Sequence, residues 1–129
     1  MPTPPQFQKH YSRAAARALL PQVRGWLVEV RALHSLLEKS ARKLAPLMAG
    51  GHDAGGATVN DHVRTLADLR KLLAEFGRRE IVLKDLDRGL IDFPAFVDGR
   101  EVFLCWEDGE EDIEFWHDLD AGYAGRERI

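Results

Sequence analysis

At 129 residues and 14.6 kDa the chain is one domain's worth, too short for two independent cores. Charged residues make up 30% and hydrophobic ones 45%, a globular mixture that excludes a disordered or collagen-like chain, and a net charge of −3 excludes a generally basic nucleic-acid-coating protein. That average hides a division: residues 1–51 hold 8 Lys/Arg against 2 Asp/Glu (net +6), and residues 52–129 hold 10 against 19 (net −9).

Taken in order, residues 1–10 (MPTPPQFQKH) carry three prolines and no periodicity and read as a loose arm. Residues 11–77 read as a helical hairpin. Ser12 is a helix N-cap ahead of Ala14, Ala15, Ala16, Ala18, Leu19 and Leu20, and Pro21 either kinks this helix or opens the next. Apolar residues then recur in steps of three and four at Val23, Trp26, Leu27, Val30, Leu33, Leu37, Ala41, Leu44 and Met48. They mark the buried stripe of a helix from Pro21 to Ala45, roughly 37 Å long, which Pro46 and Gly50-Gly51 end. GGHDAGGA is a flexible connector without the Gly-Lys-Ser/Thr of a phosphate loop. Thr58 or Asn60 caps a second helix with Val59, Val63, Leu66, Leu69, Leu73 and Phe76 on one stripe and Gly77 as its stop.

After Gly77 the period falls from about 3.6 to 2. Ile81–Leu83, Leu90–Val97, Val102–Trp106 and Ile113–His117 are β-branched or aromatic runs separated by Asp-Arg-Gly, Asp-Gly-Arg and Asp-Gly-Glu turns. Residues 78–120 therefore read as an antiparallel meander of about four strands, and residues 121–129 as an irregular tail. The expected fold is one α+β domain over 1–129 with segregated helices and sheet. A four-strand meander is only about 15–20 Å wide, so the long helix outreaches it. A second copy would bury the helix's apolar end, and a homodimer through the hairpin is expected.

A lone cysteine, Cys105, makes no internal disulfide, no apolar run reaches the roughly 18–20 residues of a membrane span, and no secretory core is present. The N-terminal arginines superficially suit a transit peptide, but the apolar spacing continues for some twenty residues as an ordinary amphipathic helix. A cytoplasmic protein is expected.

Several strings in the C-terminal third are specific: Leu83-Lys84-Asp85-Leu86 with Gly89-Leu90-Ile91-Asp92-Phe93-Pro94, Asp98-Gly99-Arg100-Glu101-Val102, Leu104-Cys105-Trp106, Gly109-Glu110, Trp116-His117, and Gly122-Tyr123-Ala124-Gly125-Arg126. With Leu19-Leu20-Pro21 upstream, they resemble the family known as domain of unknown function 2203, small bacterial and archaeal proteins. The resemblance implies the same placing of elements and a cytosolic prokaryotic origin. The family has no established activity, so no catalytic roles are carried over.

Three constellations carry possible chemistry. From Asp85 to Asp120 there are 13 carboxylates against Arg88 and Arg100 alone. Asp85-x-Asp87 and Asp118-x-Asp120 offer paired oxygens of the kind a divalent cation prefers, and His117 could add an imidazole to Asp118 and Asp120. The plainer reading is that the Asp residues fill turns and the solvated surface. Second, Cys105-Trp106 and Trp116-His117 fall on neighbouring strands, where they could line a pocket or pair a thiolate with a base. Ordinary packing of a buried cysteine and two tryptophans competes with that. Third, Arg13, Arg17, Arg24, Arg31 and Arg42 fall within about 40° of one another on an ideal helix. Without interleaved aromatics, and beside so acidic a half, this stripe reads as a solvated or charge-complementary face rather than a nucleic-acid site.

The sequence thus points to a non-catalytic binding or interaction module whose functional surface lies around Asp85, Asp87, Asp92, Cys105, Trp106, Trp116, His117 and Arg126. The alternative is a small metal-dependent, hydrolase-like enzyme using the sheet's carboxylates and His117.

Overall fold

The computed structural model describes residues 4–50 and 56–129, apart from the side chain of Met48. Most of the Gly-rich connector, with His52, therefore lies outside the described residues. Helix α1 spans Arg13–Ala49 and α2 spans Gly56–Arg78. They are followed by β1 (Val82–Asp85), β2 (Leu90–Val97), β3 (Arg100–Glu107), β4 (Phe115–Asp118), a 3-10 turn (Tyr123–Gly125) and β5 (Glu127–Arg128). All neighbouring strands pair antiparallel, in the order β1-β2-β3-β4-β5. The fold is α+β, a helical hairpin followed by an antiparallel sheet.

The sheet has five strands rather than four. The fifth comes from the tail, where Arg128 and Glu127 pair with Phe115 and Trp116. Two residues are too few for a period of 2 to show in sequence.

Ser12 caps α1 as its type requires, its Oγ accepting the Ala15 N–H at 3.0 Å. The helix then runs unbroken through both Pro21 and Pro46. Each proline lacks the N–H that would reach four residues back, to Arg17 and Arg42. Neither ends the helix, which at 1.5 Å per residue is about 56 Å long. At the other hairpin end Gly77 is not the stop. Helix α2 continues to Arg78, and the left-handed residue is Glu80 at φ 56°. The Ile81 N–H reaches the Phe76 carbonyl at 3.0 Å and the Glu80 N–H the Gly77 carbonyl at 3.0 Å, a Schellman closure with Glu80 where glycine is usual. Asp98 and Gly99 take the two positive φ values of a tight hairpin turn between β2 and β3.

The chain forms two compact units, one made of the chain up to Gly25 together with Phe76–Ile129, the other of Trp26–Glu75. In the first, buried residues recur along α1 at Ala16, Leu20 and Val23, and β2 is buried from Leu90 to Ala95. In the second, Leu27, Val30, Leu44, Leu69 and Leu72 are buried, and the Ser40 hydroxyl meets the His62 ring at 2.6 Å.

Candidate functional site

Strand register sorts the sheet's side chains onto two faces, because antiparallel partners share a face and successive residues alternate. Asp92 pairs with Cys105, Phe103 with His117, and Cys105 with Phe115, so Asp92, Cys105 and His117 stand on one face. Ile91, Phe93, Leu104 and Trp106 stand on the other, with the Arg24 guanidinium of α1 5.6 Å from the Trp106 ring centre. One atom each from Asp92, Cys105 and His117 lies within 4.8 Å of the other two, and none of these residues is more than 2% exposed.

Two hydrogen bonds define the histidine. Its Nδ1 lies 2.8 Å from the Asp118 backbone carbonyl and its Nε2 3.0 Å from Asp92 Oδ1. A carbonyl only accepts, so Nδ1 carries a hydrogen. One further proton then lies between Nε2 and the Asp92 carboxyl, and the pair is neutral overall whichever atom holds it. Burial, the largest influence, raises the Asp92 carboxyl above its usual range, and the charge and hydrogen bond of His117 offset part of that. Burial likewise pushes the Cys105 thiol up to about 12, with the Asp92 charge reinforcing it and Arg126 pulling only weakly the other way. Cys105 is therefore a thiol at neutral pH, hydrogen-bonded to Asp92. A thiol held in that state is a poor nucleophile, which favours the packing reading of Cys105 over a thiolate paired with His117.

Both ends of the chain cover this face. Phe7 meets Phe103 edge-on at 5.4 Å, Phe103 lies 5.5 Å from the His117 ring, and His10 stacks on Phe96 at 4.1 Å. Two carboxylates hold the arm. Glu101 accepts the Gln6 and Phe7 N–H groups at 2.7 and 3.0 Å and meets His10 Nε2 at 2.7 Å. Glu80 accepts the Gln8 and Lys9 N–H groups, both at 2.9 Å. Over residues 4–10 the expected loose arm is thus a docked strap, and Glu80's left-handed backbone aims its carboxylate at it. Burial raises the Glu101 carboxyl, but the two amides and His10 together outweigh it and hold the group below its ordinary value.

From the tail, Arg126 lies 3.8 Å over Phe115 and binds Glu110 at 2.5 Å, its side chain only 7% exposed. Glu110 also accepts the Glu107 N–H at 2.7 Å, and its carbonyl accepts the Trp106 Nε1–H at 2.9 Å. Nε of Arg126 is the one buried side-chain nitrogen or oxygen without a hydrogen-bond partner among the described residues.

The other expected residues do not join this cluster. Asp85 accepts the Arg88 N–H at 3.1 Å, the turn role its type favours, and Asp87 is exposed. Trp106 is on the opposite face, and Trp116 packs against Arg100 at 5.4 Å. The expected grouping of His117 with the Asp118 and Asp120 carboxylates is not what the structure assembles. His117 takes the Asp118 carbonyl, the Asp118 carboxylate pairs with Arg100 at 3.2 Å, and Asp120 is exposed. Strand alternation is the reason, since neighbours 117 and 118 point to opposite faces.

Glu80, Glu101, Glu110 and Asp112 were not singled out by sequence. Asp112 receives Arg17 through two bonds at 2.7 and 2.9 Å and Arg13 at 3.5 Å, while Arg24 reaches the Glu110 and Glu111 carbonyls at 3.2 and 3.4 Å. The arginine stripe thus meets the acidic loop of its own chain, and the pairing of a basic helix with an acidic run was the signal for it. No local pattern announces contacts across some 70–95 residues, as those of the arm are.

A family model described as uncharacterized conserved protein (DUF2203) matches residues 9–129. No curated protein and no solved structure matches the chain.

Proposed function

We propose that this chain, which belongs to the DUF2203 family over residues 9–129, is a non-catalytic binding module of the cytoplasm that self-associates through its helical hairpin. The observation that carries this reading is the apolar surface left on the Trp26–Glu75 unit. Val28 is 67%, Val63 57% and Leu36 52% exposed, and Val59 and Leu73 are exposed as well. Val28, Ala32 and Leu36 follow one another at four-residue steps along α1, and Val59 and Val63 do so along α2. Exposed apolar side chains of this kind are what an isologous contact would bury. Within Trp26–Glu75, α2 mixes Asp61, Asp68 and Glu75 with Arg64, Arg70 and Lys71, while α1 carries Glu29 and Glu38 against Arg31, Lys39, Arg42 and Lys43. Among the described residues no helix is long and apolar enough to cross a membrane.

Sedimentation velocity at tens of micromolar tests this. A dimer is expected for the full chain, and a monomer for Leu36→Glu combined with Val63→Glu. A 14.6 kDa species for the unaltered chain would overturn it.

A second reading, the small metal-dependent hydrolase, draws on Asp92, Cys105 and His117, whose atoms suit a metal ion. Hydrolysis needs a coordination position that substrate can reach. These three residues are sealed at 2% exposure or less, and one member of each expected acidic pair is engaged, Asp85 in a turn and Asp118 with Arg100. The binding module is the better supported of the two.

A further inference from the structure

We propose that Asp92, Cys105 and His117 form an internal binding site for a divalent transition-metal ion, with Zn²⁺ the occupant their chemistry fits. The site is independent of self-association and is not the acidic pairs that the sequence brought forward.

Three features carry the inference. The first is the donor set: one sulfur, one imidazole nitrogen and one carboxylate oxygen within 4.8 Å of one another. Donors bonded at about 2.0–2.3 Å on a tetrahedral ion stand roughly 3.3–3.6 Å apart. The 3.0 Å separation of Nε2 and Oδ1 therefore needs to open only a few tenths of an ångström. Sulfur and imidazole select zinc-like ions over Mg²⁺ and Ca²⁺, which take oxygen donors.

The second is the orientation of the histidine. With Nδ1–H donating to the Asp118 carbonyl at 2.8 Å, the lone pair of the neutral ring is on Nε2 and faces Asp92. A carbonyl fixing the tautomer from behind is the support that metal-bound histidines use. Strand pairing makes this automatic, because Asp118's carbonyl belongs to the same β4 backbone that carries the ring.

The third is charge. Without a metal, two protons keep this dry cluster neutral, one on Cys105 and one between Asp92 and His117. A dication replacing both leaves thiolate, carboxylate and neutral imidazole around it, again with zero net charge. The exchange balances: one Zn²⁺ enters, the Cys105 S–H and the shared Asp92–His117 proton leave, and two H⁺ are released. Proton release of this kind accompanies metal binding because thiol and carboxyl ligands bind deprotonated. Three protein ligands leave one position for a water. Arg126, which lies over Phe115 opposite Cys105, carries a buried Nε–H without a hydrogen-bond partner among the described residues.

The test uses the full chain, stripped of metal by a chelator, with Co²⁺ and Zn²⁺ as probes. One equivalent of Co²⁺ should give a thiolate-to-cobalt absorption in the near ultraviolet and the visible bands of a four-coordinate ion, and one equivalent of Zn²⁺ should abolish both. In weak buffer, Zn²⁺ should release two protons per chain. Cys105→Ser should lose the near-ultraviolet band, and His117→Ala should bind at least about 100-fold more weakly. Asp120→Asn, outside the cluster, should bind as the unaltered chain does. Sub-stoichiometric Co²⁺ binding by the unaltered chain overturns the proposal, as does a near-ultraviolet band that survives in Cys105→Ser. Cobalt stoichiometry and proton release are read on the unaltered chain, so the proposal can still fail if a variant does not fold.

Discussion

Replacing His117 by alanine should cost most of what a single core substitution can cost here, and the cost should depend on pH in a definite direction. The imidazole and Asp92 meet at 3.0 Å with both side chains at most 2% exposed. Removing one partner strands a buried carboxyl, for which about 3–5 kcal/mol is usual. At an unfolding entropy of about 2.1 cal/mol/K per residue, 129 residues give about 0.27 kcal/mol/K. A loss of about 3–5 kcal/mol then lowers Tm by about 11–18 °C. The Asp92 carboxyl is already raised by burial, and losing His117 removes what pulls it back, so it rises further. A group raised in the folded state contributes stability that is whole below its unfolded value, near 3.9, and is lost as pH rises through the folded value. The Tm gap between the unaltered protein and His117→Ala should therefore widen from about pH 4 to about 6, below the unfolded histidine value. Asp92→Asn keeps an amide to donate to Nε2 and should cost about 1 kcal/mol or less. Calorimetry or thermal circular dichroism across that pH range reads all three proteins. A gap that is constant or narrows with pH, or an Asp92→Asn variant as unstable as His117→Ala, would refute the buried-pair account.

The arm and the acidic loop give two more tests. Glu101→Ala removes the acceptor of two amides, so exchange at Gln6 and Phe7 should quicken by about tenfold, or about 1.4 kcal/mol, by NMR or mass-detected exchange. Because the Glu101 carboxyl is held low, its contribution is present above its unfolded value and fades as pH falls through the folded one. Acidification from about pH 5 to 3 should therefore detach the arm in the unaltered chain, seen in the same amide resonances. Arg17, through its hydrogen bond and then its charge, holds the Asp112 carboxyl below its usual value, and Arg13 adds to this. Both arginines are largely solvated. Asp112→Ala should accordingly remove much of the salt sensitivity of Tm between low and about 0.5 M NaCl. An unchanged salt slope would count against the Arg13/Arg17–Asp112 staple.

The charge division of the chain also finds its place. Arg13, Arg17 and Arg24 meet residues 110–112 of the same chain, so part of the excess positive charge of the first 51 residues is answered internally. This weakens both a polyanion ligand and a purely electrostatic dimer. It leaves apolar burial between hairpins as the drive that the proposed self-association would use.

Local sequence alone determined the two helices, the Ser12 cap, the Asp98-Gly99 turn and the four main strands, because period, capping and turn chemistry act over a few residues. It also marked Asp92, Cys105 and His117 as candidates, though mixed with Asp85, Asp87, Trp106 and Trp116, which the sheet sends elsewhere. What joined the three was register. Asp92 opposite Cys105 and Phe103 opposite His117 are pairings between strands, fixed by which face is buried and invisible to any short window. The arm, the two-residue fifth strand and the burial that protonates Cys105 likewise exist only once residues far apart in the chain are brought together. Local patterns decided the elements, and tertiary pairing decided which donors meet in a dry space and so what chemistry they can do.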